Sequence, residues 1–77
     1  MINSRTSDLY YAAALLALGA KLEETDRTDP RHMQFYFSSE TIDLESLEVK
    51  WANRELVVNA FDYSEAIKRM KSLVHSG

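Results

Sequence analysis

Cysteine is absent from the 77-residue chain, so the sequence excludes disulfide bonds and thiolate metal ligands. Glycine occurs only twice, which excludes the glycine-rich loops that bind phosphate groups through their backbone. Long apolar runs are also missing: the longest covers residues 9–18, and crossing a bilayer takes roughly 20 residues. The opening residues, MINSRTSD, are polar and do not resemble a secretory signal. We therefore expect a cytoplasmic protein with no membrane partner.

Catalytic and metal-binding patterns are equally scarce. The two histidines, His32 and His75, are far apart in sequence, and two ligands do not make a metal site. The carboxylates between residues 23 and 29 indicate a solvated, charged strand better than an acid–base pair. No serine lies in the Gly-x-Ser-x-Gly pattern that exposes a nucleophile. We expect no enzyme activity, no catalytic residue, no metal site and no cofactor.

The stretch SDLYYAAALLALG, residues 7–19, has the spacing of a helix. Ser7 is predicted to cap its start, because a serine hydroxyl accepts a hydrogen bond from a free amide of the first turn. Gly19 is predicted to follow its end, where the backbone takes a positive φ. One face of this helix is lined by apolar residues at helical intervals, namely Leu9, Ala12, Ala13, Leu16 and Ala20.

The apolar arc of this first helix is wider than one stripe, because Tyr10, Tyr11, Leu15 and Leu18 extend it. A helix with so much apolar girth is usually buried on two sides. In a chain this short, the second side is predicted to face another protein or a second copy. These four residues are the predicted contacts.

A β-hairpin is predicted next, with residues 21–27 as a polar strand and residues 33–38 as an apolar one. Phe35 and Phe37 alternate with polar neighbours at the period of a half-buried strand. The intervening residues 28–32 contain Asp29 and Pro30, which favour a turn. The polar strand is predicted to be an edge of the sheet, since charged side chains discourage edge-to-edge aggregation.

A second helix is predicted where Leu44 and Trp51 share a face, with Ser39 or Thr41 as its cap and Asn53 as its left-handed end. The segment ELVV, residues 55–58, is β-prone and indicates either a third strand or an extended linker. A last helix follows, capped by Asn59. Its apolar stripe is regular and consists of Tyr63, Ala66, Ile67, Met70, Leu73 and Val74.

The predicted fold is a single α+β domain over residues 1–77, with residues 1–6 as a flexible N-terminus. The element order is α-β-β-α-(β)-α. An antiparallel hairpin or three-stranded sheet packs against the helices.

The chain resembles a short domain family of unknown function whose members occur in phages, mobile elements and bacteria. The resemblance spans roughly residues 6–75 and is carried by the segments Gly19 to Leu22, Phe35 to Phe37, Trp51 to Val58 and Lys71 to Leu73. The pattern leads us to expect a glycine after Asn53, where this chain carries Arg54. The resemblance implies a phage or mobile-element origin and assigns no activity, ligand or site residue.

These observations predict a small non-catalytic module that binds a protein partner or a second copy of itself. Tyrosine and tryptophan are enriched at interface anchors, and this chain carries these types at Tyr10, Tyr11, Tyr36 and Trp51. Complementary charge on the acidic second helix and the basic third helix is expected to orient the partner.

Nucleic-acid binding is the alternative hypothesis. Cationic side chains of the last helix and the hairpin would contact phosphates, and Tyr36 would stack on bases if the sheet has an open face. The net charge of −3 argues against it, because a phosphate backbone selects a positive surface. The candidate contacts are Arg27, Arg31, Tyr36, Arg54, Lys68, Arg69 and Lys71.

Overall fold

The computed structural model describes residues 2–29 and 31–75. Three strands and three helices follow one another as β1 (Ile2–Thr6), α1 (Leu9–Ala17), β2 (Lys21–Asp26), β3 (Gln34–Ser39), α2 (Leu44–Ala52) and α3 (Ala60–His75). This arrangement confirms the α+β class and the predicted hairpin of β2 and β3.

The three strands form one antiparallel sheet in the order β1-β3-β2. β2 is therefore an edge strand, as its charged sequence predicts, and a register shift between Leu22 and Glu24 interrupts its pairing. Charges and irregular pairing both discourage another strand from adding to this edge. β3 is the central strand and pairs with both neighbours.

The third strand is not where the sequence indicates it. Residues 2–6, predicted to be flexible, form β1 and pair with β3 in register from Ile2↔Ser39 to Thr6↔Phe35. Met1 lies outside the described residues. The β-prone segment 55–58 is not a strand. It connects the end of α2 to Asn59, the residue before α3. The sequence of β1 lacks the alternation of apolar and polar residues that would predict a strand. It forms a strand because it pairs with β3, which is far away in sequence.

The core lies on one face of the sheet. Phe35 and Phe37 of β3 are buried there, whereas Tyr36 between them points to the opposite face and is half-buried. The helices supply the other side of the core through the buried residues Tyr11, Ala12, Ala13, Leu15, Leu44, Ala66 and Met70.

Asp8, and not Ser7, caps the start of α1. Its carboxylate accepts hydrogen bonds from the amides of Tyr10 (2.9 Å) and Tyr11 (3.3 Å). An aspartate at this position also places negative charge at the positive end of the helix dipole. The serine prediction is wrong by one residue because both types cap helices well and the pattern alone does not separate neighbours.

Gly19 ends α1 as predicted. Its φ is 101°, its amide donates to the carbonyl of Leu16 (3.1 Å), and the amide of Ala20 donates to the carbonyl of Leu15 (3.0 Å). These two bonds satisfy helix carbonyls that would otherwise lack partners. The chain thereby turns directly into β2.

Asp43 caps the start of α2 by accepting a hydrogen bond from the amide of Ser46 (3.2 Å). The prediction of Ser39 or Thr41 is therefore wrong. The Ser39 hydroxyl instead accepts from the amides of Thr41 (3.2 Å) and Ile42 (2.9 Å). It thus tightens the turn that leads from β3 towards the helix.

Arg54, and not Asn53, is the left-handed residue at the end of α2. Arg54 has a φ of 60°, while Asn53 has a φ of −92°. The amide of Arg54 donates to the carbonyl of Trp51 (3.1 Å), and that of Glu55 donates to the carbonyl of Lys50 (2.8 Å). This is the hydrogen-bond pattern seen at Gly19, but with a side chain at the position that favours glycine.

The ends of α3 have partners from outside the helix. Asn59 caps its start as predicted, since its side-chain oxygen accepts from the amide of Asp62 (3.0 Å). Near its other end, the Arg27 guanidinium donates to the carbonyl of Leu73 (2.9 Å). A cation suits the negative end of a helix dipole. In the hairpin turn, Asp29 accepts from the amide of Arg31 (2.9 Å), as its turn role predicts, while Pro30 lies outside the described residues.

We predict that Arg54→Gly raises the free energy of unfolding by about 1 kcal/mol. A side chain in the left-handed region costs roughly 1–2 kcal/mol, and glycine removes most of that cost while adding entropy to the unfolded chain. Thermal unfolding is expected to shift upwards by about 4–8 °C, measured by circular dichroism.

Arg54→Ala is the matched control for this substitution. It removes the guanidinium but keeps a Cβ atom at the same φ, so we expect a change within about 0.5 kcal/mol. Equal stabilisation by alanine and by glycine would show that the charge of Arg54, and not its backbone, lowers the stability.

Candidate protein-interaction surface

Two of the four predicted contact residues lie inside the chain's own core. Leu15 is fully buried and Tyr11 is nearly so. The physical reason is that α3 packs against α1, so the second apolar side of α1 is covered within one chain. Tyr11 and Leu15 therefore present no side-chain surface to a partner.

The other two predicted contacts are accessible but separate. Tyr10 is 51% exposed, and its backbone carbonyl accepts a hydrogen bond from the Tyr63 hydroxyl (3.2 Å). Leu18 is half-buried at the far end of the helix. Eight residues of helix place the two about 12 Å apart along its axis. They do not form one contact surface with each other.

The two most exposed large apolar side chains of the described residues lie where α2 leads into α3. Val57 is 84% exposed and Phe61 is 72% exposed, and both lie within five residues of each other in sequence. The end of α2 and the residues that follow it form a groove of about 480 Å³, lined by Trp51, Ala52, Arg54 and Leu56, which we call the junction groove. The junction groove, Val57 and Phe61 together are called the junction surface below.

Helix geometry explains why Phe61 is outside the core. At about 100° per residue, Phe61 lies roughly 180° around α3 from Met70 and about 140° from Ala66, which are both buried. The apolar stripe of α3 therefore faces α1 and the core, while Phe61 faces away. The sequence contains this signal, because Phe61 falls off the regular apolar stripe of α3.

Trp51 connects the junction groove to the core. Its ring centroid lies 5.3 Å from that of Tyr11, with the planes tilted by 44°. The distance and tilt are typical of a stabilising aromatic pair. The Tyr11 ring therefore forms part of the support behind the groove wall.

The Tyr11 hydroxyl is buried and has no hydrogen-bond partner among the described residues. Burial raises the pKa of Tyr11 above its ordinary value, and the nearby negative charge of Glu48 acts in the same direction. A buried polar group without a partner costs stability.

The candidate nucleic-acid contacts are divided among separate regions. Arg27 and Arg31 lie at the hairpin turn, beside the C-terminal end of α3. Arg54 lies at the end of α2, and α3 alone is about 24 Å long. Tyr36 is on the uncovered face of the sheet, between Arg5 of β1 and Glu24 of β2.

The basic residues of α3 are exposed. Lys68 forms an ion pair with Glu65, one turn earlier in the helix (3.6 Å). Because both side chains are exposed, the pair contributes little to the stability of the fold. Arg69 and Lys71 point to different sides of the helix, about 160° apart. The predicted nucleic-acid contacts therefore do not form one continuous positively charged surface.

The hairpin carboxylates act mainly within the hairpin. Glu23 accepts a hydrogen bond from the Ser38 hydroxyl, and Asp26 accepts from the hydroxyl and the amide of Thr28. The bonds from Thr28 hold the pKa of Asp26 below its ordinary value. Within residues 2–29 and 31–75, no three His, Asp or Glu side chains come together as a group that could hold a metal ion. The helices in those ranges are too short or too polar to cross a membrane.

Comparison with known proteins places the chain in a family. Residues 1–76 match the family model described as Domain of unknown function (DUF5659), and the chain belongs to that family. No curated protein and no solved structure is detectably similar to it.

We predict that Tyr11→Phe raises the free energy of unfolding by about 1 kcal/mol, because it removes a buried hydroxyl that has no partner. The gain is expected to grow above pH 10. There the unfolded chain loses its phenol proton before folded Tyr11 does, so wild-type stability falls as the pH rises through the raised pKa. Urea unfolding at pH 7 and pH 10.5 measures both effects.

Tyr63→Phe is the control at neutral pH. The Tyr63 hydroxyl has a partner, the carbonyl of Tyr10, so its removal should lower the free energy of unfolding by about 0.5 kcal/mol. Destabilisation by both substitutions would contradict the account of Tyr11 as an unsatisfied group.

Proposed function

We propose that this domain is a non-catalytic protein-interaction module of the bacterial cytoplasm, encoded by a phage or mobile element, and that the junction surface is its contact site. The observation that carries the proposal is the high exposure of Val57 and Phe61, which follow the groove-lining residues in the sequence. The proposed origin is supported by the resemblance to a family with members in phages and mobile elements.

The chemistry of the junction surface suits protein contact. Burying one large apolar side chain stabilises a complex by roughly 1.5–3 kcal/mol before the costs of association. Tryptophan and arginine are over-represented among the residues that dominate binding energies, and Trp51 and Arg54 both line the groove. An apolar centre with a cation at its rim is the usual arrangement of such sites.

Self-association and binding of a different protein both fall within this proposal. Tyr10, exposed at the start of α1, and Leu18 stay predicted contacts of secondary importance. Tyr11 and Leu15 take no direct part, because their side chains are enclosed by the chain itself.

A second candidate function is nucleic-acid binding. One observation favours it: the bond from Arg27 to the carbonyl of Leu73 brings the hairpin arginines to the end of α3 that carries Lys71. The net charge of −3 and the separation of Arg54 and Tyr36 from this end argue against it.

We predict that Val57→Ser combined with Phe61→Ser abolishes protein capture by the tagged domain from a bacterial lysate. Both side chains are exposed, so the variant should fold like the wild type, and circular dichroism should be unchanged. Capture is measured with and without nuclease, and each captured protein is then purified and titrated against the wild type and the variant.

Val49→Ser is the control, because Val49 is 57% exposed on α2 and is not among the residues that line the groove. It should capture as the wild type does. Equal loss with Val49→Ser, or a wild-type domain that is monomeric and captures no protein, would contradict the proposal.

For the second candidate, we predict that Lys68→Glu combined with Lys71→Glu abolishes any binding to a random oligonucleotide. Binding that depends on phosphate contacts should also weaken steeply between 50 and 200 mM salt. Fluorescence anisotropy measures both effects. A wild-type domain that does not bind the oligonucleotide at 50 mM salt removes this candidate.

A further inference from the structure

A pocket of about 170 Å³, distinct from the junction groove, opens where the start of α1, the start of β3 and the last turns of α3 meet. We call it the core-edge pocket, and it is lined by Ser7, Leu9, Arg31, Met33, Phe35 and Val74. The apolar members of this set are buried or half-buried, and they belong to the core or pack against it. An apolar group that enters the pocket therefore leaves water and extends the contacts of the core.

Two polar residues, Ser7 and Arg31, line the same pocket, and both are exposed. In the part of the chain that the structure describes, the Arg31 guanidinium has neither a hydrogen bond nor an ion pair. The Ser7 hydroxyl also has no partner among the described residues, because Asp8 caps α1 in its place. Two groups that donate hydrogen bonds are thus available beside apolar walls.

The charges at this pocket favour a negative ligand. Among the described residues that line it, Arg31 is the one charged side chain. A second cation lies at the last turn of α3, where the Arg27 guanidinium donates to the carbonyl of Leu73 (2.9 Å). Asp8 and Asp29 are near in sequence, but their carboxylates accept bonds from backbone amides and neither residue lines the pocket. A guanidinium binds a carboxylate through two parallel hydrogen bonds, so a carboxylate is the anion that fits best.

We propose that the core-edge pocket binds a small carboxylic acid with one apolar group of about phenyl size. The carboxylate bonds to Arg31, and the apolar group lies against Met33 and Val74. The volume supports this size, since apolar cavities of about 150 Å³ accommodate benzene and the pocket measures about 170 Å³. A free acid and the carboxyl-terminal residue of a peptide both present this chemistry. The inference is independent of the proposed function, because the pocket and the junction surface share no residue.

Phenylacetate is the probe for this site, and two related compounds separate its parts. Phenylacetamide keeps the ring but removes the charge, whereas acetate keeps the charge but removes the ring. In nuclear magnetic resonance titrations of a chain labelled at its methionine methyl groups, phenylacetate should shift the resonance of Met33, which Met33→Leu identifies. The resonance of Met70, which is fully buried, should stay in place. We expect a dissociation constant of the order of 1 mM for phenylacetate, and values at least about fivefold higher for the other two compounds.

Arg31→Gln should weaken the binding of phenylacetate to the level of phenylacetamide and leave the affinity for phenylacetamide unchanged. Arg31 is exposed, so the variant should keep the circular dichroism spectrum of the wild type. Lys50→Gln is the matched control, because it removes the same charge from an exposed position on α2 that does not line the pocket. It should bind phenylacetate as the wild type does. Tighter binding of N-acetylphenylalanine than of phenylacetate would support a peptide end as the ligand, and the reverse order would support a free acid.

Three results would overturn this inference. The first is equal affinity for phenylacetate and phenylacetamide, or binding of phenylacetate that Arg31→Gln leaves unchanged. The second is a shift of the Trp51 indole N–H instead of the Met33 methyl group, because that result places the ligand at the junction groove. The third is the absence of any saturable shift at ~20 mM phenylacetate. The proposed function stands or falls separately, since its test depends on Val57 and Phe61.

Discussion

The fold depends on burying Phe35 and Phe37 of the central strand. In a chain of 77 residues without disulfides, these two rings are among the largest side chains that are fully enclosed. All three helices contribute buried residues to the core that encloses these rings. The apolar girth of α1 is used in this core, because its buried alanines and Leu15 lie there and α3 packs against α1. A small domain buries a limited share of its surface, and this core leaves a few large apolar side chains exposed. Those side chains indicate where the domain could contact another molecule.

The sequence predicts the elements that have a strong local signal. The period of two in residues 33–38, the turn chemistry of Asp29, the positive φ at Gly19 and the cap at Asn59 are all local, and the structure confirms each of them. β1 was not predictable in this way, because INSRT has one apolar residue and becomes a strand through long-range pairing with β3. Conversely, ELVV has β propensity but pairs with no strand of the sheet, which shows that propensity alone does not determine a strand.

The candidate site shows the same division between local and long-range information. The amount of apolar surface on α1 was apparent from the sequence, but its covering by α3 depends on tertiary packing. The exposed position of Phe61 was predictable in principle, because the phase of the α3 stripe places it opposite Met70. The junction groove was not, because it forms only when the end of α2, the linker and Tyr11 behind Trp51 are brought together.

Arg54 links the backbone of the fold to this surface. The end of α2 and the end of α1 use the same hydrogen-bond pattern, yet one has Gly19 and the other has an arginine at the left-handed position. Glycine would adopt that conformation at lower cost, so local stability does not account for the arginine. Strained backbone positions tend to cluster where a side chain has a role in binding. The left-handed turn aims the chain from Trp51 towards Leu56, and the arginine at its centre adds a cation to the groove that both residues line. The conformational cost at Arg54 and the exposure of Phe61 are thus two departures from the most stable sequence for this fold, and both occur where α2 leads into α3.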